Sequence, residues 1–177
     1  MVGGRPGTGK TTLARGIADH TGGRVISTDD VRSAMAGRGE IVGQSGVLGQ
    51  GLYSRENIDA VYDTVLRQAH LGLCEGHTVI LDGTWTEAVY RDRARRVAVE
   101  AAAPMIELAC TAPLDSTVRR IRTRTDTTSQ VTPEIATALA GNADDDQADW
   151  PGAHRIDTTR GPAESVAEAL DFCRTAC

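Results

Sequence analysis

At 177 residues the chain is long enough to bury one sizeable core and short enough to form a single domain over residues 1–177. Its formal net charge of −5 argues against a broad electrostatic footprint for duplex nucleic acid and leaves only a local basic groove open. No apolar run reaches the roughly 20 residues that a membrane span needs, and a glycine-rich loop stands where a signal peptide would, so cytoplasmic residence is expected.

Aromatic residues make up 3% of the chain, so its core is expected to be built from Ala, Val, Leu and Ile. The first strand looks cut short: only Met1 and Val2 precede the glycines, where a buried parallel strand ordinarily has about five apolar residues. Either the domain belongs to a longer polypeptide or the strand is unusually brief.

The stretch GRPGTGKTT, Gly4 to Thr12, carries the strongest signal. Gly4, four residues, then Gly9-Lys10-Thr11 matches G-x-x-x-x-G-K-[ST], a loop whose amides wrap the phosphates of a nucleotide at a helix N-terminus. Lys10 is the only lysine in the chain, all other basic side chains being arginine. A compact ammonium on a thin stem reaches the β- and γ-phosphates where a broad guanidinium would crowd the loop. Gly4, Pro6, Gly7, Thr8, Gly9, Lys10, Thr11 and Thr12 are the candidate nucleotide-binding residues, with the Thr11 hydroxyl on Mg²⁺.

A helix is expected from Thr12 to His20, then a short buried strand from Gly23 to Thr28 running into Asp29-Asp30. The glycine-rich stretch from Gly37 to Gly51 reads as a mobile loop that shapes an acceptor pocket. Ser54 is a plausible N-cap for a helix carrying Ile58, Val61, Val65, Leu66, Ala69 and Leu73 and ending at Gly76. Thr78 to Leu81 is the clearest strand, closed by Asp82. There follow a helix from Thr86 to Ala103, a strand from Met105 to Cys110, an arginine-dense helix in PLDSTVRRIRTRT, a helix from Pro133 to Leu139, a strand in HRIDTT and a helix from Ala163 to Arg174. This alternation predicts an α/β fold, a doubly wound parallel sheet of about five strands with helices on both faces.

Of the four cysteines, Cys74 and Cys110 are expected to be buried reduced thiols. Cys173 and Cys177, one helical turn apart, read either as a frayed tail or as a pair able to hold a metal. The acidic run Asp144 to Asp146 reads as a solvated loop.

In a parallel sheet a ligand lies beyond the carboxyl ends of the strands, which gives Asp29, Asp30 and Asp82 functional weight. Asp82 closes an apolar strand and would hold Mg²⁺, directly or through water; alternatively it caps the turn at Gly83. Transfer of a phosphoryl group to an alcohol needs a carboxylate that orients the hydroxyl and takes its proton. Asp29 is the candidate base, with Arg32 one turn on to support it, Asp30 as the substitute, and a helix cap as the structural alternative. Arg120 and Arg124, at i and i+4, would form a lid that neutralises charge on the moving phosphate. Arg91, Arg93, Arg95 and Arg96 are weaker candidates for the same work.

On GRPGTGKTTLA, ISTDDVR, GLYS, VILDGTW, APLDSTVRRIRTR and RIDTTRGPAESV, spread over nearly the whole chain, the sequence resembles the AAA-type kinases of the P-loop kinase group. The resemblance implies a P-loop NTPase fold with an Arg-rich lid, ATP and Mg²⁺ as cofactors, and a small-molecule hydroxyl acceptor. It also implies possible fusion to an N-terminal domain, because such kinases occur as the C-terminal half of proteins whose first half resembles aminoglycoside phosphotransferases. DDVR is similar to the Asp-Asp-x-Arg stretch of bacteriophage polynucleotide kinases, which carries the base role onto Asp29 and its support onto Arg32. Arg120 and Arg124 occupy the family's Arg-x-x-x-Arg lid positions. Family members often have Ser-Asp-Ala after the lid, where this chain has Ser129-Gln130-Val131. The competing expectations are a polynucleotide 5′-hydroxyl kinase, with Arg38 and Arg55 lining a groove, and a nucleotide-binding ATPase or regulatory module.

Overall fold

The computed structural model describes residues 1–44, 50–123 and 150–176. The expected helix from Pro133 to Leu139, Arg124, the Ser129–Val131 departure, the acidic run Asp144–Asp146 and Cys177 lie outside them.

Five parallel strands form one sheet: β1 (Val2–Gly3), β2 (Arg24–Ser27), β3 (Val79–Asp82), β4 (Leu108–Thr111) and β5 (His154–Asp157). Their spatial order is β2-β3-β1-β4-β5, so the shortest strand is the central one. The helices are α1 (Lys10–Thr21), α2 (Thr28–Gly37), α3 (Arg55–Cys74), α4 (Ala88–Glu100), α5 (Leu114–Thr123) and α6 (Pro162–Ala176). Short 3₁₀ turns precede α3 at Gly51–Tyr53 and α6 at Thr158–Arg160. The doubly wound sheet read from the sequence is the observed one. No helix among the described residues is long and apolar enough to cross a membrane.

Strand periodicity splits the core into two layers. On β3, Ile80 joins Val2, Leu13, Ala14, Ile17, Leu108, Ile156, Val166 and Leu170 on the α1–α6 face, whereas its neighbour Leu81 joins Val31, Met35, Val61, Val65 and Leu66 on the α2–α3–α4 face. The first layer is aliphatic, as the composition predicts. The second is not. Three of the chain's six aromatic residues meet there, Tyr62 lying parallel to Tyr90 at 3.9 Å between ring centres and edge-on to Trp85 at 5.0 Å. A low aromatic content thus conceals one dense cluster beneath the site.

Helix boundaries follow their caps. Ser54 caps α3, its hydroxyl accepting from the Asn57 N–H at 3.3 Å, and Gly76 at φ +80° ends the run. β2 stops earlier than expected because Ser27 caps α2 by accepting from the Asp29 N–H at 3.3 Å. The cap is therefore Ser27, and Asp29 and Asp30 fall in the first helical turn, favourable for negative charge. Cys110 is buried as expected. Cys74 is exposed at the end of α3, which corrects that expectation.

Candidate active site

The loop from Gly4 to Gly9 joins β1 to α1 at the carboxyl edge of the sheet. Gly7 and Gly9 have φ of +81° and +85°, a region costly for any residue with a side chain. A Cβ on Gly7 would also lie 2.7 Å from the Thr117 carbonyl of α5, so the loop is wedged against the root of the arginine helix. Thr8 fixes the bend through its hydroxyl, which donates to the Arg5 carbonyl at 2.7 Å. Lys10 Nζ donates to that same carbonyl at 3.0 Å, which folds the ammonium over its own loop.

Behind the loop, Thr11 Oγ1 donates to Asp82 Oδ2 at 2.8 Å. The two side chains approach because β3 lies beside β1, with Val2 opposite Asp82. A hydroxyl and a carboxylate are hard oxygen donors, and with the left-handed glycine loop they suit a hydrated Mg²⁺ and a polyphosphate. Asp82 is 3% exposed. Burial pushes its carboxyl above the ordinary range; Lys10 and the Thr11 hydrogen bond pull it down, and Asp29 and Asp30 push it up again.

Asp29 reaches the same rim from the neighbouring strand, since Ser27 pairs in register with Asp82. Arg32 Nη1 donates to Asp29 Oδ1 at 2.6 Å, between side chains 9% and 32% exposed. The guanidinium of Arg32 also lies over the Tyr53 ring, 4.5 Å from its centre. Tyr53 is held by the turn that Asn57 anchors, its Nδ2 donating to the Gly51 carbonyl at 2.8 Å and the Val42 carbonyl at 3.1 Å. The sequence pattern gives Tyr53 no role; its one signal is that it is an aromatic residue in a chain poor in them. Asp30, in the same turn, is exposed.

On the opposite side, Arg120 closes a cleft of about 350 Å³ lined by Gly7, Gly9, Thr12, Leu13, Thr158 and Pro162. Its Nη2 donates to the Thr158 carbonyl at 2.7 Å, and its Nη1 to the Thr158 hydroxyl at 3.0 Å and the Gly7 carbonyl at 3.4 Å. Thr158 Oγ1 in turn faces the carbonyls of Thr8 at 2.8 Å and Thr111 at 3.1 Å. One buried threonine after β5 thus ties together the loop, β4 and the arginine helix, a role no spacing rule exposes.

Beyond Asp82, Trp85 is fully buried with φ of +53°, an unusual conformation for a bulky residue, beside the site. Arg91 holds this turn by donating to the Trp85 and Thr86 carbonyls at 2.8 and 2.6 Å. Arg95 pairs with Glu107 at 2.6 Å and Arg93 with Asp63, so these two α4 arginines are structural as well. Cys110 lies behind the loop, its thiol pushed up to about 12 by burial, so it is a packing group and no nucleophile. No cluster of three or more candidate metal-binding His, Cys, Asp or Glu residues occurs among the described residues.

Comparison with known proteins places this geometry. The family model of an AAA domain matches residues 1–148. The uncharacterized protein Rv2004c of Mycobacterium tuberculosis is 50% identical over 177 residues, covering 99% of this chain and 34% of that protein, so the chain spans about a third of its relative's length. Among solved structures, a sugar kinase from Janibacter sp. HTCC2649 superposes with a TM-score of 0.66 at 20% identity, covering 97% of this chain and 91% of that one. The APS kinase CysC of Mycobacterium tuberculosis, solved with AMPPNP and APS, superposes with a TM-score of 0.65 at 18% identity, covering 97% and 94%. The chain belongs to the AAA-domain family that matches it over residues 1–148, and it has the P-loop fold of these kinases.

Proposed function

We propose that the chain is an ATP- and Mg²⁺-dependent kinase that transfers the γ-phosphoryl group to a hydroxyl of a small-molecule acceptor. The observation that carries this reading is the pair of carboxylates at the ends of neighbouring strands: Asp82 bonded to the Thr11 hydroxyl of the loop, and Asp29 gripped by Arg32. One serves a metal and the other a proton. A hydrolase would instead need a residue that positions water and arginines supplied by a partner.

The loop amides and the N-terminus of α1 bind the phosphates, and Lys10 exchanges the Arg5 carbonyl for β- and γ-phosphate oxygens. Thr11 and Asp82 would hold the metal, which when bound neutralises charge on the phosphate oxygens. With Oδ1 held by Arg32, Asp29 Oδ2 accepts the acceptor's hydroxyl proton as that oxygen forms its bond to the γ-phosphorus and the bond to the β–γ bridging oxygen breaks. ADP leaves with the bridging oxygen, and Asp29 releases its proton to solvent. Arg120 lies beside the cleft that would take the nucleoside, and with Arg124 it would neutralise charge on the moving phosphate.

The names of the similar structures, a sugar kinase and an APS kinase, favour a small polar acceptor. A polynucleotide end is less well supported, because Arg38 pairs with Glu40 at 2.5 Å and Arg55 with Glu87 at 2.6 Å, which occupies the cations such a groove would use. The test is a screen of fractionated metabolite pools with γ-labelled ATP and Mg²⁺. Label in an acid-stable phosphate ester, formed by the wild type and not by Asp29→Asn, supports the reading; release of inorganic phosphate alone, whatever the pool, contradicts it.

A further inference from the structure

Arg32 is a cation with only 8% of its surface exposed, and among the described residues it makes one hydrogen bond, from Nη1 to Asp29 Oδ1. A guanidinium carries five N–H donors, and burying its charge is costly while most of them are unspent. The unspent edge is the side of the group, Nε with Nη2, and Nε is buried without a partner. Trp85 supplies a second buried donor without a partner, its Nε1, on a side chain wholly shielded from solvent.

The two donors share one neighbourhood. Tyr62 packs edge-on against Trp85, 5.0 Å between ring centres, and the charge of Arg32 acts on its hydroxyl. A Cβ on Gly83 would lie 3.0 Å from Trp85 Nε1 and 2.8 Å from Thr28 Cγ2. Gly83 follows Asp82 and Thr28 precedes Asp29, so the indole N–H lies against the chain neighbours of both carboxylates. The left-handed backbone of Trp85, pinned by Arg91, is what turns the ring into this place; strain of that kind gathers where a ligand is gripped.

Buried donors without acceptors beside Asp29 call for an oxygen from outside the chain. We propose that the phosphate acceptor is a hydroxy acid, its carboxylate held by the Nε–Nη2 edge of Arg32 with the indole N–H of Trp85 completing the cradle. This rests on the kinase reading and narrows it. The parallel N–H groups of that edge match the two oxygens of a carboxylate in spacing and plane. Tyr53 covers a face of the guanidinium and leaves its edges open to hydrogen bonds. Arg32 then stands between two carboxylates, Asp29 on Nη1 and the ligand's on the side edge, so the group that orients the base also brings the hydroxyl to it. Nε and the indole N–H lie behind the rim of the site, and seating the carboxylate takes a side-chain rotation of the kind common on binding. A neutral polyol leaves the donors unspent, which a site built for hydrogen bonds penalises strongly.

The experiment splits the metabolite pool of the labelling screen on an anion exchanger before protein, γ-labelled ATP and Mg²⁺ are added. Acid-stable label from the retained acids and none from the flow-through is the expected result. Label from the flow-through, alone or equal to that from the acids, overturns the proposal and leaves the kinase reading standing; inorganic phosphate alone from both fractions overturns both. Phosphate esters are retained too, so part of the retained fraction is first treated with a phosphatase that is then removed. Label that survives this treatment assigns a carboxylate, and label lost there overturns it. The methyl ester of the acid so found should lose about 10²-fold in kcat/KM with the wild type, and an ester as good as the acid overturns the proposal. Trp85→Phe, which keeps a ring and removes the N–H, should raise the KM for the acid about fivefold and leave that for the ester unchanged. An equal rise for acid and ester overturns the role given to Trp85, and the ester comparison on the wild type stays decisive if the variant does not fold.

Discussion

Around the loop from Gly4 to Thr11, the groups that would meet a ligand are mostly main-chain amides, whereas at the head of α2 they are the carboxylate of Asp29 and the guanidinium that grips it. The phosphate side is braced from behind by a single threonine, Thr158, which touches the carbonyls of Thr8 and Thr111 and the Arg120 side chain. The side proposed for the acceptor is braced through a longer relay: Asn57 holds the Gly51 turn, the turn carries Tyr53, the ring lies against Arg32, and Arg32 fixes Asp29. Every triphosphate presents the same oxygens, so a backbone cradle suffices for it. Acceptors differ, and the site proposed for one depends on side chains held through the Gly51 turn.

The sharpest way to separate the two sides is Asp29→Asn. It should lower the rate of phosphoryl transfer to an acceptor found in the metabolite screen about 10³-fold and leave ATP affinity unchanged. Near-normal transfer would move the base to Asp30 or elsewhere. Lys10→Ala acts on the other side and should reduce kcat/KM for ATP about 10²-fold. Tyr53→Leu should lower kcat about tenfold with the KM for ATP held, and Tyr53→Phe should restore most of it, because the ring and not the hydroxyl faces Arg32. Equal activity of the Leu and Phe variants would remove Tyr53 from the relay. Smallest, Thr158→Val should cost about 1 kcal/mol of stability in thermal melts and weaken nucleotide binding a few-fold, by taking a hydroxyl from two carbonyls and from Arg120.

Much of the fold was legible in the sequence because its signals are local. The Gly-x-x-x-x-Gly-Lys-Thr spacing, the apolar run before Asp82, and Ser54 with Gly76 around α3 each depend on residues a few positions apart. Strand order was not legible, since nothing local says that β3 lies between β2 and β1. The end of β2 was misread because Ser27, Asp29 and Asp30 are all capable caps, and only the observed hydrogen bond selects Ser27. Tyr53 and Thr158 escaped notice for the opposite reason: their chemistry is ordinary, and their importance comes from partners up to 150 residues distant. The arginines of α4 carry charge at helical spacing, and their partners Glu107, Asp63 and the Trp85 carbonyl lie on other segments.

The claim on which the division of the cleft rests is that the loop from Gly4 to Thr11 holds a triphosphate without help from the acceptor side. Titration calorimetry of Mg²⁺–ATP into the wild type, Lys10→Ala and Asp29→Asn tests it directly. Equal affinity for the wild type and Asp29→Asn, with at least about tenfold weaker binding for Lys10→Ala, is the predicted result. Unchanged binding in Lys10→Ala, or its loss in Asp29→Asn, would contradict the account.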